Sequence, residues 1–186
     1  LLNITATEVS YFDKKILVPF GEFLPLRNSL PFLESIVGPS NYSRGDEERI
    51  IHLSKNISYL PVICYEIVFY WKLLNKLNYS SSFIVNITND FWFGNFLGPY
   101  QHLYLTKLRA AEFNKPIVRV SNNGISAIID NNGNILKNTR LNRSINFKYK
   151  LFFQENINFT NFHLILKIYF FIVFILITFY YSRKHV

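Results

Sequence analysis

Cys64 is the only cysteine in the 186 residues; it closes the apolar run 60–63 and is followed directly by an aromatic, Tyr65, and a carboxylate, Glu66. A single thiol forms no internal disulfide, and with only four scattered histidines it makes a poor metal centre, so no metal site is expected. What remains is an inert core side chain or a nucleophile. A nucleophile needs partners, and the best candidates lie upstream in FDKKILVPFGEFLP, residues 12–25. Lys14 and Glu22 flank a run whose Pro19 and Gly21 set its backbone, with Pro25 just beyond, which favours holding both side chains toward a cleft. On the plainer alternative Lys14 is a surface charge and Glu22 caps a turn.

The elements that must position these residues follow from periodicity. Residues 15–18, 50–53, 59–64, 82–88, 116–121, 125–130 and 135–138 are expected strands, and Asn131-Asn132-Gly133 is a hairpin turn. Helices are expected over 28–38, 66–77 and 101–114, with loops at 39–48 and at the Gly- and aromatic-rich 89–100. Cys64 then falls where a strand turns into a helix. A side chain there is exposed at the carboxyl edge of a sheet, where the outward-pointing amides of the next turn favour negative charge and stabilise an oxyanion. Strand, helix, strand, helix, strand and then hairpins describe a layered α/β sandwich.

Composition adds a second region. Residues 164–181 read LILKIYFFIVFILITFYY with Lys167 as the only charge. As a helix these residues would extend about 27 Å, close to the hydrocarbon thickness of a bilayer. A transmembrane helix is therefore expected, with Tyr169, Tyr180 and Tyr181 near the interfaces and Lys167 snorkelling outward. The basic tail Arg183-Lys184-His185 favours a cytoplasmic C-terminus and places the preceding residues on the other side of the membrane. The expected organisation is an enzyme-like domain over 1–160 and a membrane helix with a short tail over 161–186. The formal net charge of +8 is spread along the chain. No nucleic-acid-binding pattern accompanies it, so anionic lipid is the expected partner of the charge.

In order, KKILVPFGEFLP, ICYEI, NDFWFG, GPYQH, RAAE and NNGIS resemble the carbon-nitrogen hydrolase (nitrilase) superfamily and, more narrowly, the bacterial apolipoprotein N-acyltransferases. The resemblance runs from about residue 12 to the end. It implies an αββα sandwich, no cofactor, and a Glu-Lys-Cys triad that moves a fatty acyl chain from a phospholipid, through a cysteine thioester, to the N-terminal amine of a diacylglyceryl-cysteine apolipoprotein at the bacterial inner membrane, with the catalytic domain on the periplasmic side. It makes Cys64 the nucleophile and Lys14, with the Tyr65 backbone N–H, the oxyanion support. Lys15 is its rival by adjacency, and the spacing to Glu22 favours Lys14. Glu22 supports the lysine, Tyr65 and Glu66 belong to the substrate side, and Trp92 lies in a loop that admits lipid chains. Arg109 and Glu112 are expected to be a structural pair. The resemblance also demands a general-base glutamate ahead of the lysine, and Glu8 fits neither in context nor in distance. With Leu1-Leu2-Asn3 at the start and no methionine anywhere, the chain is expected to be the C-terminal portion of a longer enzyme, inactive by itself. A membrane-anchored amidase or an inactive anchored fragment are the alternatives.

Overall fold

A computed structural model of the chain describes residues 2–4, 9–25, 29, 42–46, 50–69, 72–73, 81–152 and 160–184. It divides into two units, 1–154 and 155–186. In the first, β1 (Leu2–Ile4) and β2 (Val9–Tyr11) form a small antiparallel pair. The main sheet has six strands in the order β3 (Ile51–Ser54), β4 (Ile57–Ile63), β5 (Phe83–Asn89), β6 (Ile117–Asn122), β7 (Ala127–Ile129) and β8 (Ile135–Asn138). The central β4, β5 and β6 run parallel, and the flanking pairs are antiparallel.

Parallel strands covered on both faces read as apolar runs rather than strict alternation, and β4 does so. Leu60, Val62, Ile84 and Ile117 on one face pack with Leu103, Ala110 and Phe113 of the helix α1 (Gly98–Phe113). On the other face Ile63, Phe83 and Val85 pack against the buried Phe12, Ile51 and Tyr59. α1 begins three residues earlier than its periodicity indicates, because Pro99 has no amide to satisfy in a first turn and starts the helix there. Asn114, at φ 49°, ends it in the left-handed conformation.

Two expectations are corrected. Residues 15–18 form no strand: the Lys15 and Ile16 amides donate to Glu66 Oε1 and the Val18 amide to Glu22 Oε2, so side-chain carboxylates take the hydrogen bonds a ladder would have used. After Cys64 the chain makes a tight 3-10 turn, Cys64–Val68, in place of the first turn of an α-helix. Residues 72–73 are helical; residues 70–71 and 74–77 of the helix expected over 66–77, and all of that expected over 28–38 except residue 29, a turn, lie outside the described residues. The loop expected over 89–100 holds a second 3-10 turn, Asp90–Phe93.

The second unit contains α2 (Thr160–Lys184), a helix of 25 residues. Its side chains are described over 166–181 and are almost all exposed, Phe170, Phe174 and Leu176 each by more than 60%. Among the described residues, no helix is long and apolar enough to cross a membrane.

Candidate active site

Cys64 directly follows the carboxyl end of β4 and is half-buried. Its φ of 53° is left-handed, a conformation costing a non-glycine residue of order 1–3 kcal/mol that surrounding contacts must hold in place. Two buried side chains do so. The fully buried Glu66 carboxylate accepts the Ile63 amide at 2.7 Å on one oxygen and the Lys15 and Ile16 amides at 2.9 Å on the other. The fully buried Asn86 donates through Nδ2 to the carbonyls of Val62 at 3.1 Å and of Cys64 at 3.3 Å. Glu66 therefore fixes the turn of the thiol and the Lys14 run to each other, a tether between residues about fifty positions apart in the sequence.

Lys14 is brought onto Glu22. Its Nζ donates to both carboxylate oxygens, at 2.6 and 2.7 Å, while Glu22 Oε2 also accepts the Val18 amide. A cleft of about 340 Å³ opens here between Lys14, Glu22 and the segment 42–45. Gly45 lets that segment approach: a Cβ on it would lie 2.6 Å from Asp13 Cβ. Lys15 contributes a backbone amide to Glu66 rather than a side-chain contact to Glu22. The Tyr65 ring packs against Phe69, Phe93 and His102. Trp92 is 83% exposed, with Phe91 and Phe96 exposed beside it. Glu66 has both oxygens engaged by backbone amides, which is a supporting place rather than a surface facing a ligand. Arg109 and Glu112 form an ion pair one helical turn apart.

A buried polar network under the thiol is absent from the sequence reading. Val62, Asn86 and Arg119 lie in line across β4, β5 and β6. The apolar face at Leu60, Ile84 and Ile117 thus turns polar toward the carboxyl ends of the strands. Arg119, 1% exposed, donates from Nη2 to Asp90 Oδ2 at 2.6 Å, from Nη1 to Asn86 Oδ1 at 2.7 Å and Thr106 Oγ1 at 3.0 Å, and from Nε to the Ile125 carbonyl. Asp90 Oδ1 lies 2.8 Å from His102 Nδ1 and 3.0 Å from Thr88 Oγ1, and Thr88 Oγ1 lies 3.4 Å from Cys64 Sγ. Burial alone would push the Asp90 carboxyl up, but the hydrogen bond from His102 and the charge of Arg119 hold it down at about 2. Burial pulls His102 below the usual histidine range, against the hydrogen bond to Asp90. Arg119 Nη2 also lies 3.2 Å from His102 Nδ1, but the shorter 2.8 Å contact with ionised Asp90 favours the imidazole proton on Nδ1; among the described residues, Nε2 is buried without a hydrogen-bond partner. The Cys64 carbonyl also acts to raise His102, from outside hydrogen-bonding geometry. Gly124 of the NNGIS stretch abuts the network, since a Cβ there would lie 2.1 Å from Asp90 Oδ2.

A strained thiol at a strand end, a lysine clamped by a carboxylate, and a glutamate joining the two segments suit acyl transfer through a covalent intermediate. The family model for carbon-nitrogen hydrolases matches residues 5–145. The chain belongs to that family. Among curated proteins, this family member is 43% identical over 131 residues to an apolipoprotein N-acyltransferase of Rickettsia prowazekii, covering 70% of this chain and 26% of the relative. It is 41% identical over 133 residues to an apolipoprotein N-acyltransferase of Allorhizobium ampelinum, covering 70% and 25%. The chain thus spans about a quarter of the length of these relatives. Among solved structures, glutamine-dependent NAD+ synthetase from Acinetobacter baumannii superposes with a TM-score of 0.52 at 16% identity, covering 77% of this chain and 29% of that one, a likeness of fold alone.

Proposed function

We propose that this carbon-nitrogen hydrolase carries the nucleophilic part of an N-acyltransferase site that acts on phospholipid and apolipoprotein. The observation that carries the reading is the left-handed Cys64 turn joined through Glu66 to the run on which Glu22 clamps Lys14. In the first step the Cys64 thiolate attacks an ester carbonyl of the phospholipid. The carbon–sulfur bond forms, the ester carbon–oxygen bond breaks, and the lysophospholipid leaves with a proton. In the second, the N-terminal amine of a diacylglyceryl-cysteine apolipoprotein attacks the thioester. The amide forms, the amine gives up a proton and the thiolate returns. Lys14 Nζ and the Tyr65 backbone N–H are assigned to the oxyanion in both steps, and Trp92 with its exposed aromatic neighbours to the lipid chain. The base that takes the thiol proton is assigned to a glutamate ahead of Lys14 in the longer enzyme, a role that Glu8 does not fit.

The names of the relatives support the acyl-transfer reading over simple amide hydrolysis, and so does the exposed aromatic loop beside the site. Incubation with radiolabelled phospholipid is expected to leave a hydroxylamine-sensitive adduct on Cys64, absent in Cys64→Ala. Lys14→Ala is expected to slow adduct formation by about 10²–10³, the typical cost of losing one oxyanion donor, and Lys15→Ala by far less. An adduct that persists in Cys64→Ala, or equal effects of the two lysines, would overturn the assignment. Release of product from a short amide with no lipid adduct would favour the hydrolase, and neither activity the inactive fragment.

We further propose that residues 164–181 of α2 cross the bacterial inner membrane, that residues 1–160 lie on its periplasmic side as one sheet of an αββα sandwich, and that the Arg183-Lys184 end is cytoplasmic. The support is a helix of 25 residues whose side chains, described over 166–181 and so short of the full 164–181 run, are almost all apolar and exposed, with the basic pair at its end. An export-dependent reporter fused after Val186 is expected to be inactive in cells, whereas activity there would reverse the orientation.

A further inference from the structure

Among the described residues, Thr88 is the side chain that brings a polar atom within hydrogen-bonding distance of the Cys64 sulfur, and none of the six motifs quoted above includes it. It is 5% exposed and β-branched, so its χ1 is stiff and its oxygen stays near the sulfur while the hydroxyl proton remains free to rotate. That oxygen lies 3.4 Å from Cys64 Sγ and 3.0 Å from Asp90 Oδ1, and it has one proton to give. The direction of that proton is decided by the neighbours.

While Cys64 is a thiol, the stronger acceptor is the ionised Asp90 carboxylate. The hydroxyl then donates to Asp90 and accepts the weak S–H donor. Once the thiol proton has left to a base, the sulfur carries a negative charge and becomes a strong acceptor. Asp90 loses little by releasing the hydroxyl, because Arg119 still holds Oδ2 at 2.6 Å and the His102 Nδ1–H still holds Oδ1 at 2.8 Å. The hydroxyl proton rotates by breaking one hydrogen bond and forming another, and no proton is transferred. We propose that Thr88 is a further catalytic residue, whose hydroxyl accepts from the Cys64 thiol and turns to donate to the thiolate, with Asp90, His102 and Arg119 as the groups that make the turn inexpensive. The proposal rests on Cys64 being the nucleophile and deepens that reading.

Thr88→Val leaves in place the charged and titratable groups of the elements packed around the Cys64 turn. From β6 there is Arg119, from α1 His102, from the end of β5 Asp90, and from its own turn Tyr65 and Glu66. Lys14 and Glu22 are tied in through the Glu66 tether. A bond from a hydroxyl to a thiolate is charge-assisted and roughly twice as strong as a neutral one, so the hydroxyl favours ionisation overall.

The test is alkylation of the full chain in detergent by iodoacetamide, which joins carbon to sulfur with loss of iodide and is read on the Cys64 peptide by mass as a function of pH. In Thr88→Val the midpoint of the rate profile is expected to rise by roughly half to one pH unit, and the rate at pH 7 to fall roughly three- to tenfold. Thr88→Ser, which keeps the hydroxyl, is expected to keep the parent midpoint. Should Thr88→Val not fold, Thr88→Ala against Thr88→Ser makes the same comparison. An unchanged or lowered midpoint without the hydroxyl, or a serine variant shifted as far as the valine variant, would overturn the proposal. The alkylation needs no acyl donor. A shifted midpoint with no lipid adduct would therefore leave Thr88 in place and remove the acyl-transfer reading, and an adduct with no shift would do the reverse.

Discussion

Glu66→Ala is expected to lower the stability of the folded chain by at least about 3 kcal/mol and to abolish acyl capture at Cys64 even where the variant remains folded. The magnitude follows from counting donors. Glu66 is fully buried and accepts three backbone amides, those of Ile63, Lys15 and Ile16. Alanine leaves those three N–H groups without this acceptor, and an unsatisfied buried donor costs about 1–3 kcal/mol. The loss of function comes from geometry, because the same carboxylate is the strut between the thiol turn and the run that carries Lys14. Freed from it, Cys64 has less reason to stay at positive φ, and the run that carries Lys14 is no longer tied to the strand end. Glu66→Gln separates the two effects. Its oxygen still receives Lys15 and Ile16, but its amide group faces the Ile63 N–H, so an intermediate loss of about 1–2 kcal/mol is expected. Urea unfolding followed by circular dichroism, alongside the adduct assay, measures both. A Glu66→Ala protein as stable as the parent would show that water replaces the carboxylate without loss.

Cys64 and its strand end were legible because an apolar run, a lone thiol and a following polar pair are local features, and Lys14 with Glu22 because they flank a short run punctuated by Pro19 and Gly21 and because of the family resemblance. The strand expected over 15–18 fails for a reason that no local pattern reveals. The residues have the apolar character of a strand, but their amides are taken by carboxylates, one of them on Glu66, some fifty residues away. Glu66 as a strut is hidden for the same reason. The network of Thr88, Asp90, His102 and Arg119 is assembled by sheet register and by the packing of α1, and its members sit in stretches that read separately as strand, loop, helix and strand. A usable signal existed in residues 82–88. Ile84, Asn86 and Thr88 alternate with period two, so a strand that buries Ile84 buries two polar side chains as well, and buried polar groups need partners. The nature of the acyl donor was not legible from composition or periodicity. It rests on the likeness to relatives of which this chain spans a quarter.

Asp90→Ala is expected to destabilise the fold by about 3–5 kcal/mol, and Arg119→Met by a comparable amount, with the double variant losing far less than the two together. Both side chains are 1% exposed, and the guanidinium lies 2.6 Å from the carboxylate. Removing one member leaves the other as an uncompensated buried charge, which is the costly event, whereas replacing the charges together leaves mainly a packing defect. Asn86 limits how far the defect spreads. In the double variant it loses Arg119 from Oδ1 but keeps its donations to the Val62 and Cys64 carbonyls, so the Cys64 turn is retained. A double-mutant cycle by urea unfolding at pH 7 should therefore give a coupling of at least about 2 kcal/mol. The pH dependence has a definite sign. The Asp90 carboxyl is held near 2 in the folded chain, below its value of about 3.9 when unfolded, so its stabilisation is complete above that pH and is lost as the pH falls toward 2. The gap between the parent and Asp90→Ala should accordingly be widest near neutrality and narrow below about pH 4. Additive single losses, or a gap that stays constant on acidification, would show that the pair does not act as a unit and that Thr88 lacks the charged acceptor on which its two orientations depend.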